Sequence, residues 1–276
     1  MISGLTLEYA YARVAARIAQ RPDERLWLQL RSARTVPALL EAVRASAAAS
    51  TVSGIPLTGD AEVIEHAFRQ QLRTRIDEVA SWSPEAWQPA VHYTRHLVDL
   101  PAIAHLLTDE PPPRWMGVDP ALSTYVHAGR TDRRAALLAG PLAPITRAIE
   151  EETPARAATE PLARALRRVR AGPPIHRAIA AWESEWRARW PRAASDLASA
   201  LDDVVHAARR HVLSFATLIP DDTAAARQSL AARLIALLHR AAAQPAALFA
   251  YLALFALDVE RLRGEFVVRA RLGTPP

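Results

Sequence analysis

The spacing of apolar residues constrains this chain more than any other feature of its sequence. Segment after segment repeats apolar side chains with the 3.6-residue period of a helix, and none sustains the alternation of a strand. Proline, present 21 times, separates these segments, often just after a capping residue. The pattern predicts an all-α fold. The predicted helices cover residues 5–20, 23–32, 36–48, 60–80, 84–107, 120–128, 132–139, 144–152, 160–170, 174–190, 191–218, 222–243 and 246–271.

Short oxygen-bearing side chains stand at several of the predicted helix starts. Such a side chain accepts a hydrogen bond from one of the free N–H groups of the first turn. The predicted N-terminal caps are Asp60, Ser83, Asp119, Asp132, Thr159 and Asp222.

Both ends of the chain are predicted to be long, largely buried helices. The first is apolar almost all round except for a thin stripe formed by Arg13, Arg17 and Arg21. The last begins with the uncharged run 247–257 and then carries Asp258, Arg261, Glu265 and Arg269 on one face. We expect the neighbouring Leu262 to be buried at an interface of this helix. Two buried ends indicate a mechanical or adaptor component rather than an enzyme, since chain ends are more often frayed.

The residue types that are missing exclude several kinds of chemistry. The chain has no cysteine, so disulfides, thiolate nucleophiles and zinc–sulfur sites are excluded. It has no lysine either, which excludes a Walker-type phosphate loop and Schiff-base catalysis. Only Gly54 and Gly59 lie close together, which gives no glycine-rich phosphate cradle. We therefore expect no nucleotide hydrolysis by this chain itself.

The charge balance is only mildly basic. The pI is 10.3 although the net charge is +5, because without lysine or cysteine only five tyrosines titrate between neutral pH and the arginine range. Such a charge favours an acidic protein partner over nucleic acid. No secretory signal is evident, and the longest apolar run, 245–257, is shorter than the ~20 residues of a membrane span. These features predict a cytoplasmic protein without a transmembrane segment.

Proline-rich breaks at residues 111–113 and 172–174 suggest joints between subdomains. They predict helical units over 1–110, 111–190 and 191–276 within one contiguous body. Similar stretches surround Asp99, Asp202 and Asp258, which indicates three pseudo-repeated helical units packed around an axis. Chance similarity in a chain rich in alanine and leucine is the alternative.

Several stretches resemble the C subunit of the V/A-type rotary ATPases, whose eukaryotic counterpart is the d subunit. Tyr9-Ala-Tyr-Ala-Arg-Val14 resembles the opening of that family, where an aromatic residue precedes Asn-Ala-Arg-Val. The family's first helix pair is similar to residues 24–55, and the long helix that follows it is similar to residues 61–107. The closing Asp-x-x-x-Leu-Arg helix of the family is similar to residues 250–271. Tyr11 replaces the first asparagine, and the chain is shorter than usual members. Arg13, Asp99 and Asp258 are the landmarks of the repeat.

The resemblance implies a funnel-like, all-α body without an active site. It would lie on the cytoplasmic face of the membrane and link the central rotor stalk to the membrane rotor ring, so that nucleotide hydrolysis drives proton or sodium transport. The alternative is a homologue with the same fold that acts as a helical adaptor in another assembly.

One set of side chains has the spacing of metal ligands. His92, His96 and Asp99 are separated by four and three residues, which would place them on one face of a single helix. A polar helix face is the ordinary interpretation, and we expect no metal or cofactor. A metal-dependent helical enzyme built on these residues is the less favoured alternative function.

Two further sets are candidate partner contacts. Trp182, Trp186 and Trp190 recur every fourth residue, which favours a core-facing stripe or else an aromatic anchor for a partner or a membrane interface. The second set is a basic run, in which one helix face carries Arg164, Arg167 and Arg168. Such a run is typical of a solvated helix end or of a contact with an acidic patch. No interleaved aromatic residues accompany it, so nucleic acid is not expected.

Overall fold

The computed structural model describes residues 5–56, 60–108, 110–150, 174–192, 197–215 and 223–272. Within these ranges the chain is all-α, as predicted, and contains no strand. The helices are α1 (Leu7–Ile18), α2 (Glu24–Ser32), α3 (Val36–Arg44), α4 (Ala61–Trp82), α5 (Gln88–Tyr93), α6 (Arg95–Leu106), α7 (Arg114–Val118), α8 (Ser123–His127), α9 (Arg130–Ala139), α10 (Ala143–Glu150), α11 (Pro174–Arg187), α12 (Ala198–Phe215), α13 (Thr223–Arg240) and α14 (Pro245–Leu272). Short 3₁₀ turns cover Ala49–Thr51 and Glu85–Trp87. None of the described helices has both the length and the apolar character that a membrane span requires.

The chain forms two units. The first consists of Met1–His92 together with Trp190–Pro276, and the second of Tyr93–Arg189. The division into three helical units over 1–110, 111–190 and 191–276 stays a prediction. The three-fold pseudo-repeat stays a prediction.

The last helix, α14, is the centre of the first unit. It packs against α1, α3, α4, α12 and α13. Its first two turns, residues 245–252, are buried on every side, which explains why this segment is apolar all round rather than amphipathic. Further along, Phe266 meets Phe68 of α4 edge to face, with ring centroids 5.6 Å apart. Leu262 is fully buried in the same cluster, as predicted.

The first helix is far less buried than its sequence suggests. Only Ala10 and Val14 of α1 are buried, while Tyr9 is 46% exposed. The prediction of a largely buried first helix is therefore wrong. Most of the exposed apolar positions are alanines, and such small side chains cost little when they face water.

The predicted helix over 84–107 is broken. It divides into the turn Glu85–Trp87 and the helices α5 and α6, which are separated at Thr94. A new helix starts there with a hydrogen bond that spans three residues, from the N–H of Leu97 to the Thr94 carbonyl at 3.0 Å. Pro101 lies inside α6, where it has no N–H to donate to the preceding turn. The short helix α7, which follows Pro113, was not predicted.

Two of the predicted caps act at helix ends in different ways. The Asp60 carboxylate accepts the N–H groups of Glu62 and Val63 at 2.9 Å each, so it caps α4 as predicted. Ser83 caps nothing that follows it. Its hydroxyl donates instead to the carbonyl of Val79 at 2.7 Å, at the end of α4.

The remaining caps differ from prediction or lie outside the described residues. Asp119 accepts the N–H of Ala121 at 2.9 Å, but the helix that follows begins only at Ser123. Asp132 lies within the first turn of α9, whose capping position is held by Gly129. Thr159 and Asp222 lie outside the described residues.

Candidate functional site

A buried ion pair joins the two ends of the chain within the first unit. Arg21, just after α1, donates from Nε and Nη2 to the two carboxylate oxygens of Asp258 at 2.6 and 2.8 Å. Asp258 lies on α14 and is only 6% exposed. A carboxylate so deeply buried requires such a partner, and two parallel bonds from one guanidinium also fix its orientation.

A second ion cluster lies on α4. Glu78 accepts from Arg17 at 2.5 Å with one oxygen and from Arg75 at 2.6 Å with the other. Arg75 is itself buried, and its guanidinium lies 4.7 Å from the centre of the Phe255 ring of α14. Glu78 therefore ties α1 to α4, while Arg75 connects α4 with α14.

A small cavity of about 30 Å³ lies among these groups. Both ends of the chain contribute to its wall, which contains Arg17, Arg21, Ser50, Thr51, Arg75, Tyr251 and Asp258. Its size suits one or two ordered waters held by polar groups. The ion pairs around this cavity are suited to holding α1, α4 and α14 in one relative position.

Burial raises the pKa of two groups that line the cavity. It raises the pKa of the Tyr251 hydroxyl to about 12, with the nearby Arg75 guanidinium opposing the rise. It also raises the pKa of the Asp258 carboxyl, against the opposing effect of the hydrogen bonds from Arg21. The hydroxyl of Tyr251 is therefore neutral and available as a donor at physiological pH.

The charged face of α14 extends the connection to α2. Arg261 donates to both oxygens of Glu24 at 2.8 and 3.2 Å, and its guanidinium lies 4.1 Å from the centre of the Trp27 ring. Arg269 donates to the carbonyl oxygens of Ala33 at 2.6 Å and Arg31 at 3.1 Å. These carbonyls end α2, so the last helix supplies hydrogen bonds that the end of α2 cannot supply itself.

The other landmark residues occupy different environments. Arg13 is exposed on α1, and its guanidinium lies 4.9 Å from the centre of the Trp82 ring. Asp99 is 2% exposed in the second unit. Of the three landmarks, Asp258 is the one that forms the ion pair joining the ends.

The weak metal candidates do not form a ligand set. His92 Nδ1 lies 3.1 Å from a carboxylate oxygen of Asp77, and the His96 ring meets Tyr93 edge to face at 4.8 Å. The single helix assumed for His92, His96 and Asp99 is interrupted at Thr94. The described part of the chain holds no group of three side chains arranged to bind a metal.

The tryptophan stripe is mostly internal to the second unit. Trp182 and Trp186 are 5% and 1% exposed, and their rings stack 5.4 Å apart. Trp182 Nε1 donates to the Tyr93 carbonyl at 3.3 Å. Their burial leaves neither indole free to anchor a partner, and only Trp190 is partly exposed. The three arginines of the basic run, Arg164, Arg167 and Arg168, lie outside the described residues.

The surroundings of the Arg21–Asp258 pair include residues that the sequence did not single out, namely Arg75, Glu78 and Tyr251. Arg21 belongs to the arginine stripe of the first segment, but no spacing in the sequence connects it with Asp258. One available signal was a carboxylate placed directly after the apolar run 247–257, since a buried acid requires a cationic partner.

Comparison with known proteins found no matching family model, no similar curated protein and no similar solved structure.

Proposed function

We propose that this protein is a non-catalytic coupling subunit that links the central rotor stalk to the membrane rotor ring of a V/A-type rotary ATPase. The observation that carries the proposal is the bidentate Arg21–Asp258 pair, which joins the first and last helical segments inside one packed unit. The particular assembly comes from the sequence resemblance at residues 9–14, 24–55, 61–107 and 250–271.

A coupling subunit must transmit force without unfolding at its ends. In the first unit, α14 packs on helices from both halves of the sequence, and ion pairs hold it to the segment just after α1 and to α2. Force applied to either terminal helix is therefore passed directly to the other. A connector that works in this way needs stiffness and contact surfaces, which packed helices provide.

The proposal is tested in the source organism with a tagged copy of the full chain. Membranes are solubilised in mild detergent, and proteins that copurify are identified by mass spectrometry. We expect central-stalk and membrane-ring subunits of a rotary ATPase in stoichiometric amounts. Copurification of a different helical assembly would support the adaptor alternative and overturn the rotary-ATPase proposal.

A deletion strain gives a second, functional readout. Without its coupling component, membrane vesicles should lose ATP-driven ion transport, while the soluble catalytic head keeps hydrolysing ATP. The wild-type chain, supplied from a plasmid, should restore transport. Transport at wild-type rates in the deletion strain itself would contradict the proposal.

A further inference from the structure

A basic cleft lies between α12 and α13 in the first unit. Its volume is about 160 Å³, and it is open to solvent. Ala207, Ala226 and Leu230 contribute apolar surface to its wall. Polar and charged groups come from both helices, with Arg210 and His211 on α12 and Ser229 and Arg233 on α13.

Arg210 and Arg233 differ from most arginines near them because both are exposed and neither forms an ion pair with any described residue. Their neighbours on α13 are compensated: Arg227 lies 3.0 Å from Glu260, and Arg240 lies 3.9 Å from Asp203. The sequence of α13 contains no aspartate or glutamate at all.

The groove on the other side of α13 provides a contrast. It is larger, at about 230 Å³, and it also contains arginines. There each guanidinium has a carboxylate partner, in the pairs Arg31–Glu265, Arg227–Glu260 and Arg261–Glu24. The cleft between α12 and α13 instead combines apolar surface with two cations that have no ion-pair partner among the described residues.

One acid close to the cleft wall, Glu260, is already engaged. Glu260 lies 3.9 Å from His211 Nε2 and also accepts from Arg227. Burial raises the pKa of Glu260, but the nearby His211 and the hydrogen bond from Arg227 outweigh it, so the pKa is lowered overall. This carboxylate is bound by its own partners and does not neutralise Arg210 or Arg233.

We propose that the cleft between α12 and α13 binds an acidic, amphipathic helical segment of a partner protein. Carboxylates of that segment would pair with Arg210 and Arg233, and its apolar side chains would contact Leu230 and the alanines. This surface adds a partner contact to the proposed connector, and its test does not depend on the assembly in which the connector works.

The chemistry of the cleft favours a protein over a nucleic acid or a lipid surface. Proteins bind a phosphate backbone with many cations, and they bind the bases of a single strand with aromatic side chains. An anionic membrane is bound by a larger basic patch. Two cations beside apolar surface instead match the alternation of acidic and apolar positions on a helix.

The experiment uses the full chain and a fluorescein-labelled helical peptide of about four turns, with glutamates and leucines on one face. Fluorescence anisotropy should show binding that weakens as salt is raised toward about 0.15 M. The charge-reversing variant Arg210→Glu with Arg233→Glu should weaken binding by about tenfold or more. The matched control is Arg34→Glu with Arg114→Glu, which changes the same charge at exposed positions outside the cleft. It should bind as the wild type does.

The position of the peptide is tested by thiol protection, which is possible because the chain has no cysteine. The bound peptide should slow maleimide modification of Ser229→Cys in the cleft but not of Ser32→Cys at the end of α2. All variants should keep the far-UV circular dichroism spectrum of the wild type, because the substituted side chains are exposed.

Three outcomes overturn the proposal. The first is a wild-type chain that does not bind the peptide, and the second is a charge-reversed variant that binds it as tightly as the wild type. The third is binding of single-stranded RNA or phosphatidylglycerol vesicles that depends on Arg210 and Arg233 while peptide binding does not.

Discussion

Arg21 and Asp258 are separated by 237 positions in the sequence and form two parallel hydrogen bonds of 2.6 and 2.8 Å. Arg21 follows the first helix, and Asp258 lies at the middle of the last. Asp258 is nearly inaccessible to water, so its charge depends mainly on this guanidinium for compensation, with a smaller contribution from the charge of Arg261. The pair makes the position of each end of the chain depend on the other.

Removal of Arg21 should destabilise the first unit strongly. Arg21→Met leaves the Asp258 carboxylate buried without its partner, which should cost about 3 kcal/mol of unfolding free energy in urea. The double variant Arg21→Met with Asp258→Leu removes both charges and should recover much of that loss. Equal losses for the single and double variants would show that the unpaired carboxylate is not the cause.

A charge introduced at Leu262 should be far more disruptive than the same charge further along α14. Leu262 is fully buried, whereas Val268 is 52% exposed. Leu262→Asp should therefore cost at least ~3 kcal/mol by burying an unpaired carboxylate, while Val268→Asp should leave the unfolding midpoint nearly unchanged. Similar melting curves for the two variants would contradict the packing of this helix.

The buried phenol of Tyr251 should make stability fall in alkaline solution. The folded pKa of Tyr251 is raised to about 12, whereas an unfolded tyrosine titrates near 10. Between these values the unfolded chain binds fewer protons, so stability is fully present below about pH 10 and is lost as the pH rises toward 12. Tyr251→Phe should remove about 2 kcal/mol of this loss, measured by urea unfolding across that range. An identical pH dependence in both proteins would refute the assignment.

Ala243 offers a stabilising substitution. Its φ angle is +57°, in the left-handed region, and it lies in the turn between α13 and α14. A glycine adopts this conformation without the steric cost that alanine bears, so Ala243→Gly should raise the unfolding free energy by about 0.5–1 kcal/mol. Ala242→Gly in the same turn is the matched control and should lower stability instead, since Ala243 alone among the described non-glycine residues has a positive φ. Destabilisation by both glycines would contradict the prediction.

Trp186 should contribute strongly to the stability of the second unit. It is 1% exposed and stacks on Trp182, whereas Leu97 of the same unit is 39% exposed. Trp186→Ala should cost about 3–5 kcal/mol through the cavity that it leaves, while Leu97→Ala should have a small effect. Acrylamide should quench the emission of Trp186 poorly, as judged by comparison with Trp186→Phe. Ready quenching of this indole would show that the stripe is exposed.

Much of the helical architecture could be predicted from local sequence. The starts and ends of α3, α4 and α13 follow the predicted positions within a few residues, and Asp60 caps α4 as its side chain indicates. Helix periodicity and capping depend on residues within one or two turns, so the chain carries this information locally. The break at Thr94 could not be predicted in this way because the apolar pattern continues through it.

The candidate site could be predicted only in part. Asp258 stands out as a charge directly after an apolar run within the last predicted helix, but nothing near it in the sequence indicates Arg21 as its partner, and no pattern points to Glu78. The exposure of α1 could not be predicted from the sequence either. A helix rich in small apolar residues shows the same sequence pattern whether or not other helices cover it.

The sequence alone determined that this chain is helical, where most of its helices begin, and which chemistry its missing cysteine and lysine exclude. The tertiary structure decided which helices meet, that Asp258 is paired with Arg21, and that Arg210 and Arg233 flank one cleft. The physical reason is the range of the interactions: helix formation is governed by neighbours along the chain, whereas burial and ion pairing depend on residues brought together only when the whole unit packs.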